Sequence, residues 1–198
     1  MLAALVAAGL AVEALPGARF GRQPRIRAVR AKADAFVSSA DTTANFGRIP
    51  DLRVDAAPMV RTYLRFDVNV KSGNVRHVSI LLWSRKRSRV GYQVRLVEDS
   101  WRETQITYRN APAPSAESVA SGPLRAHAWK PVDVTSLAEQ VSGGDDSISL
   151  ALTTTSTKSV DLASRETGLH GPRLIVERGG DDGGQPTTST RGEPPGPG

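Results

Sequence analysis

The 198-residue sequence contains no cysteine, and aromatic residues make up only 5% of it. The absence of cysteine excludes disulfides, thiolate metal sites and a cysteine nucleophile. Because aromatic residues are few, we expect a core built mainly from Val, Leu, Ile and Ala. A chain of this length has room for one domain of ordinary size, with a core of its own, and for tails.

The motifs of the common enzyme classes are missing as well. His77, His127 and His170 have neither HxH nor HExxH spacing, and the chain has no G-x-S-x-G elbow, P-loop or Rossmann fingerprint. Acidic neighbours such as Asp145 and Asp146 lie in polar stretches, and nothing indicates that two carboxylates flank a substrate. The sequence therefore favours a non-catalytic domain. The enzymatic alternative, a lyase, would need a Tyr/His or Lys/Arg pair in a cleft.

Lysine is scarce and arginine abundant, and the formal net charge is +6. Planar guanidinium groups suit carboxylate or sulfate ligands, although a genome that favours Arg codons gives the same composition. The densest basic cluster is Arg85-Lys-Arg-Ser-Arg89. It is interpreted either as a contact with polyanions or as a solvated hairpin turn. We expect no nucleic-acid partner, because aromatic residues are not interleaved with the basic ones.

Both ends of the chain differ in composition from the middle. Residues 1–12 form an apolar run with the length of a signal-peptide core, too short to span a membrane and without the usual positive start. We therefore interpret residues 1–30 as a signal-like segment and basic linker of a secreted bacterial protein; the alternative is a short core helix. Residues 179–198 are rich in Gly, Pro and Thr and are predicted to be disordered. Such a tail is typical of a spacer to the cell envelope or to a further domain.

Residues 31–178 alternate with a period of two, which indicates β-strands. About nine short strands separated by turns predict an all-β fold, an antiparallel β-sandwich of the jelly-roll type, with one short helix at Thr135–Val141. We expect it to be a monomer. The predicted strands are Ala33–Ser38, Asp51–Asp55, Val60–Val68, Arg76–Trp83, Val90–Val97, Gln105–Tyr108, Lys130–Val134, Ser147–Thr154 and Arg173–Glu177.

Several short segments occur in a family-specific order: Tyr63-Leu-Arg-Phe-Asp67, Ser100-Trp-Arg-Glu103, Ile106-Thr-Tyr108, Ser164-Arg-Glu166 and Pro172-Arg-Leu-Ile-Val176. In that order they resemble the DNRLRE domain, also called carbohydrate-binding module family 96, over roughly residues 31–177. The sequence departs from the family at Tyr108, where Trp is common, and at Arg109, where Asn is common. The resemblance implies a secreted sandwich that holds polysaccharide without cutting it, with alginate-like acidic polymers as the best-known ligands.

Strand alternation places Arg61, Tyr63 and Arg65 on the face away from Leu64 and Phe66. Arg53 and Arg95 on other strands have the same parity and are predicted to lie beside them. An aromatic ring stacks on sugar C–H faces, and guanidinium groups hold carboxylates, so this face is a candidate site for an acidic or cell-wall glycan. The alternative is a structural or adhesive spacer, because the outer face of any strand in a sandwich is polar.

The three tryptophans have different predicted roles. Trp83, at the end of a strand beside the basic turn, is the candidate sugar platform. Trp101 and Trp129 fall in the family's fold pattern, so we interpret them as plugs that close the sandwich.

Sugar-binding β-sandwiches also often carry a structural calcium ion. Asp34 and Glu166, near the two ends of the domain, are the candidate ligands, although calcium requires several further oxygen atoms.

Overall fold

The structure is a computed structural model that describes residues 24–68, 75–141 and 146–179. The predictions of a signal-like segment at residues 1–12 and of a disordered tail beyond residue 179 lie outside these ranges. Within them, no helix has the length and apolar character needed to cross a membrane.

The described residues form eleven strands, one turn of α-helix and a short 3₁₀ helix. The strands are β1 (Arg25–Arg30), β2 (Ala33–Ser38), β3 (Asp51–Ala56), β4 (Met59–Phe66), β5 (Val75–Ser84), β6 (Gln93–Leu96), β7 (Val119–Ala120), β8 (Ala128–Asp133), β9 (Ile148–Thr153), β10 (Val160–Ala163) and β11 (Arg173–Arg178). Helix α1 is Thr135–Ala138, and the 3₁₀ helix is Arg165–His170.

The strands pair antiparallel in two layers. The first sheet contains β1, β11, β5, β8 and β10, and the second contains β2, β4, β9, β6 and β7. Strand β3 pairs with β10 in the first sheet and with the start of β4 in the second, so pairing continues from one layer into the other. Apolar side chains between the layers, among them Leu64, Phe66 and Leu82, are fully buried. The predicted all-β sandwich is confirmed.

One predicted strand is wrong, and three strands were not predicted. Residues 105–108 form a turn-rich loop and pair with no strand; Ile106 packs from this loop onto the outer face of the second sheet. Strands β7 and β10 were not predicted because they are too short to show a clear alternation. Strand β1 lies in the Arg-rich stretch interpreted as linker, and it pairs with β11 along its whole length. Its side chains are mostly exposed, since an edge strand does not need alternating apolar residues.

A long connection covers part of the outer face of the second sheet. Residues 98–112, here called the covering segment, place Trp101 and Ile106 against Ala35, Tyr63 and Ala151 in a second apolar cluster. Strand β2 is buried at all six positions: Ala33, Ala35 and Val37 belong to this second cluster, and Phe36 on the opposite face stacks on Phe46. The outer face of the second sheet thus has a covered end and an open end.

Candidate functional site

The register of the second sheet determines which of the predicted residues are neighbours. Tyr63 on β4 lies opposite Ala151 on β9, which lies opposite Arg95 on β6. Arg65 lies opposite Ser149, and Gln93 lies opposite Thr153. Arg61, two residues before Tyr63 on β4, therefore falls in the row of Thr153 and Gln93. The covering segment lies over Tyr63 and Arg65 on β4. Arg95 is at the β6 end of the Tyr63 row, where Ser115 and Ala116 contact it instead.

The prediction that Tyr63 presents its ring to solvent is wrong. Tyr63 is 0% exposed, and its ring meets Trp101 edge-on at a centroid distance of 6.0 Å. Its hydroxyl donates a hydrogen bond to the carbonyl of Pro112 (2.9 Å). Burial raises the pKa of Tyr63, and the nearby Arg61 opposes that rise only in part. The parity argument gave the correct face but could not show that a segment from elsewhere in the chain covers it.

Arg65 is also held within the fold. Its guanidinium forms an ion pair with Asp99, donates hydrogen bonds to the carbonyls of Asp99 and Trp101, and lies 4.9 Å from the centre of the Trp101 ring. Asp99 in turn accepts hydrogen bonds from Ser147 and Ser149. Partial burial acts to raise the pKa of Asp99, but the two hydroxyls and Arg65 together lower it overall. Arg65 therefore anchors the covering segment.

Arg53 is exposed but lies apart from the other predicted arginines. It sits on β3, and its Nε lies 3.8 Å from a carboxylate oxygen of Asp161, which also pairs with Lys86 at 2.5 Å. The charge of Arg53 is therefore compensated, and the structure does not bring it beside Arg61.

Arg61 and Arg95 do meet, at the open end of the second sheet. They border a cavity of about 330 Å³ that runs across β4, β9 and β6, which we call the arginine groove. Threonine and glutamine side chains supply most of its other polar groups. The groove is lined by Asp55, Ala56, Met59, Arg61, Gln93, Arg95, Pro114, Ser115, Thr153, Thr154 and Thr155.

Neither arginine of the groove has a carboxylate partner among the described residues. The Arg61 guanidinium contacts the sulfur of Met59 (2.9 Å) and lies 5.8 Å from the centre of the Tyr108 ring. The one carboxylate in the lining, Asp55, accepts a hydrogen bond from the backbone N–H of Ala57 (3.1 Å). Arg61 thus has several N–H groups left for an anionic ligand.

Arg95 is held in place by neutral acceptors. It donates to the hydroxyl of Thr153 (3.2 Å), to the carbonyls of Ser115 (2.8 Å) and Ala116 (2.5 Å), and to the side-chain oxygen of Gln93 (2.8 Å). These bonds orient the guanidinium without cancelling its charge. The groove therefore combines one fixed positive group with one that can adjust.

Trp83 lies on the first sheet, away from the groove. Its ring meets that of Trp129 edge-to-face across β5 and β8 (5.5 Å) and stacks on His170 (4.1 Å). The Arg173 guanidinium lies 4.8 Å from the centre of the Trp129 ring. Trp83 and Trp129 are half-buried in this cluster, and a sugar-binding role for Trp83 stays a prediction. Trp101, in contrast, is 4% exposed, as expected of a plug.

The two predicted calcium ligands lie together, joined by a third that the sequence reading missed. Asp34, Glu103 and Glu166 each place an oxygen within 4.8 Å of the others. Asp34 is 1% exposed, and desolvation is the main reason that its pKa rises to about 8. Asp34 and Glu166 were chosen for their places near the two ends of the domain. Glu103, in the middle of the chain, lacks that signal, and the covering segment brings it to Asp34.

A guanidinium group borders this acidic cluster. The Nε of Arg165 lies 2.8 Å from Glu103 Oε1 and 3.3 Å from Glu166 Oε1, and its backbone N–H donates to Asp34 Oδ2 (2.7 Å). Asp34 Oδ1 and Glu103 Oε2 accept no hydrogen bond from the described residues. Three carboxylates from three separate segments, with two oxygen atoms still available, fit the hard oxygen donors that calcium prefers.

Comparison with known proteins gives one family. The model of carbohydrate-binding module family 96 matches residues 26–178, which include every described strand except the first residue of β1. A search of the curated proteins found no match.

Proposed function

We propose that this chain, which belongs to carbohydrate-binding module family 96, binds an acidic polysaccharide through the arginine groove. The observation that carries the proposal is the pair Arg61 and Arg95, two guanidinium groups that border one open groove and have no carboxylate partner in the described part of the chain. The other two arginines predicted to bind sugar, Arg53 and Arg65, each pair with a carboxylate and do not line the groove.

The chemistry of the groove suits a polymer of uronic acids. Guanidinium groups form charge-assisted, often bidentate hydrogen bonds with carboxylates. The hydroxyls of Thr153 and Thr155 can exchange hydrogen bonds with sugar hydroxyls, and Met59 and Pro114 offer apolar surface to sugar C–H groups. Nothing in the groove resembles a general acid–base pair, so we propose binding without cleavage.

Affinity electrophoresis of the full chain tests the proposal. The gels contain alginate, pectin, xylan, cellulose or no polymer, each at low and at moderate salt. We expect alginate or pectin to retard the wild type at moderate salt and to retard Arg61→Gln much less. Arg53→Gln is the matched control, because it removes the same charge from an exposed arginine outside the groove, and it should behave as the wild type.

Two results would count against the groove. Equal weakening by Arg53→Gln and Arg61→Gln would mean that only the overall charge matters. Retardation by every polyanion that vanishes at moderate salt would have the same meaning, because diffuse surface attraction is strongly screened. Either result, or no retardation at all, would favour the structural or adhesive spacer.

We further propose that Asp34, Glu103 and Glu166 hold a structural calcium ion that joins β2, the covering segment and the 3₁₀ helix. Calcium binding only to the folded state should raise the melting temperature by several degrees after treatment with EDTA and readdition of the ion. Glu103→Gln should lose this response. If the wild type does not respond but Arg165→Gln does, the guanidinium is itself the cation that neutralises the cluster.

Export, a monomeric state and a further domain beyond the tail are proposals that rest on the sequence alone. Residues 1–12 have the apolar character and the length of a signal-peptide core, which supports export. Expression from the native gene, followed by N-terminal sequencing of the secreted product, tests export. Retention of the intact N-terminus inside the cell would contradict it.

A further inference from the structure

A second group of cations lies beside the arginine groove. Arg87 and Arg89, in the connection from β5 to β6, face Lys158, in the connection from β9 to β10, across a cavity of about 400 Å³. Serines lie between them, and all three cations are exposed. We call this place the basic corner and define it by Arg87, Arg89, Lys158, Ser88, Ser156 and Ser159.

The cations of the basic corner differ from their neighbours in the same turn. Arg85 pairs with Asp51 (2.7 Å), and Lys86 pairs with Asp161 (2.5 Å). Arg87, Arg89 and Lys158 have no carboxylate partner among the described residues. The nearest acidic side chain in the sequence, Asp161, already serves Lys86 and Arg53. Three positive charges therefore line one cavity with no carboxylate partner among the described residues.

Hydrogen bonds fix the two connections relative to each other. The hydroxyl of Thr154 donates to the carbonyl of Gly91 (2.9 Å), and the N–H of Gly91 donates to the hydroxyl of Ser88 (2.9 Å). Gly91 has a φ of +75°, and a Cβ atom there would meet the carbonyl oxygen of Gly122 at 2.0 Å, so the tight approach requires glycine. The Ser156 hydroxyl accepts a hydrogen bond from the N–H of Lys158 (3.0 Å). The backbone that carries the cations is thus ordered in advance of any ligand.

The basic corner and the arginine groove share a wall. Thr155 lines the groove and the next residue, Ser156, lines the corner. The N–H of Ala56, another groove residue, donates to the carbonyl of Ser156 (2.9 Å). Thr153 and Lys158 are five residues apart, so their Cα atoms are separated by at most about 18 Å. A polymer of several sugars can span that distance.

We infer that the basic corner is a second subsite for the same acidic polysaccharide, which holds carboxylate groups farther along a chain seated in the arginine groove. The inference rests on the proposed function and adds the requirement that the ligand be a polyanion long enough to reach both places. The groove supplies an ordered set of polar contacts to one stretch of sugar. The corner supplies exposed cations, which only a longer ligand reaches and whose attraction is screened by salt.

Calorimetric titration of the full chain with sodium alginate oligomers of increasing length tests this. The corner variant is Arg87→Gln/Arg89→Gln/Lys158→Gln. The matched control is Arg48→Gln/Arg76→Gln/Arg102→Gln, which removes three charges at exposed positions that line neither cavity. We expect the corner variant to bind the shortest oligomers as the wild type does and the longest about tenfold more weakly. Its affinity for long oligomers should also depend less on salt, while the control variant keeps the gain with length.

The outcomes separate the inference from the proposed function. If Arg61→Gln abolishes binding of all oligomers while the corner variant behaves as the control, the groove stands and the second subsite is overturned. An affinity of the wild type that does not increase with oligomer length overturns it too. If the wild type binds no oligomer of any length, the proposed function fails and the inference fails with it.

Discussion

Arg61 and Arg65 lie on the same strand and the same face, four residues apart, yet they serve different purposes. Arg65 lies beneath the covering segment, paired with Asp99 and stacked on Trp101. Arg61 lies at the open end, where it contacts Met59 and faces the arginine groove. Strand parity therefore determines the face on which an arginine lies. The availability of its charge depends instead on which segment folds over that face and on whether that segment brings a carboxylate.

The two ends of the face also differ in how they contribute to stability. At the covered end, Tyr63, Trp101 and Ile106 bury large apolar surfaces, and the hydroxyl and indole N–H of the first two find acceptors in Pro112 and Ser149. The open end has mainly polar side chains around the two arginines, and its apolar side chains, Ala56, Met59 and Pro114, are at least partly exposed. We therefore expect substitutions at the covered end to change the free energy of unfolding and substitutions at the open end to change binding.

The largest effect is expected from Trp101→Ala, which removes the side chain that the covering segment packs against Tyr63 and Ala151. Truncation of a fully buried Trp destabilises a protein by about 3–5 kcal/mol, because apolar burial is lost and a cavity is left. Urea unfolding followed by circular dichroism measures it. Trp83→Ala is the control. Because Trp83 is only half-buried, this variant should lose clearly less unfolding free energy. An equal loss of unfolding free energy in both variants would show that the covering segment contributes no more stability than the surroundings of Trp83.

A smaller, pH-dependent effect is expected from Asp99→Asn. The folded-state pKa of Asp99 lies below its unfolded value, so its contribution is fully present above the unfolded pKa of about 4 and is lost as the pH falls through the folded pKa. Because its side chain is 45% exposed, we expect a loss of only about 1 kcal/mol at neutral pH. In the variant, this part of the decline in stability below about pH 4 should be missing.

Asp67→Asn is the matched control for Asp99. Asp67 pairs with Lys32 at 3.6 Å, but both side chains are more than half exposed. Such pairs contribute little to stability, so urea unfolding at neutral pH should barely distinguish this variant from the wild type. Acid unfolding curves of Asp99→Asn and the wild type that run parallel would contradict the assignment of Arg65 and Asp99 as an anchor.

The smallest change in stability is expected from Arg61→Gln. Arg61 has no carboxylate partner in the described part of the chain, so its replacement should alter the free energy of unfolding by less than about 0.5 kcal/mol. Arg65→Gln should be clearly more harmful, because it leaves Asp99 without its cation. Thermal unfolding of the two variants side by side measures the contrast. A loss at Arg61 as large as that at Arg65 would remove the distinction between anchor and binding residue.

Part of the candidate site could be predicted from residue patterns. Parity placed Arg61 and Arg95 on one face, and the register of β4, β9 and β6 brings both to the groove. The resemblance to the family led to Asp34 and Glu166, which lie within reach of each other. Tyr63 was misjudged because alternation describes one sheet and contains no information on what packs over it. Glu103 was missed because its distance from Asp34 depends on how the covering segment folds back.

The all-β character of the protein, its strands from β2 onward except the short β7 and β10, and the parity of its arginines follow from the sequence by itself, because alternation of apolar and polar residues is a local property of each strand. Only the tertiary structure decided that Tyr63 and Arg65 are covered, that Arg61 and Arg95 stay open, and that three cations meet in the basic corner. Those outcomes depend on contacts between segments far apart in the chain. The charge of an arginine is compensated only where such a contact brings a carboxylate to it.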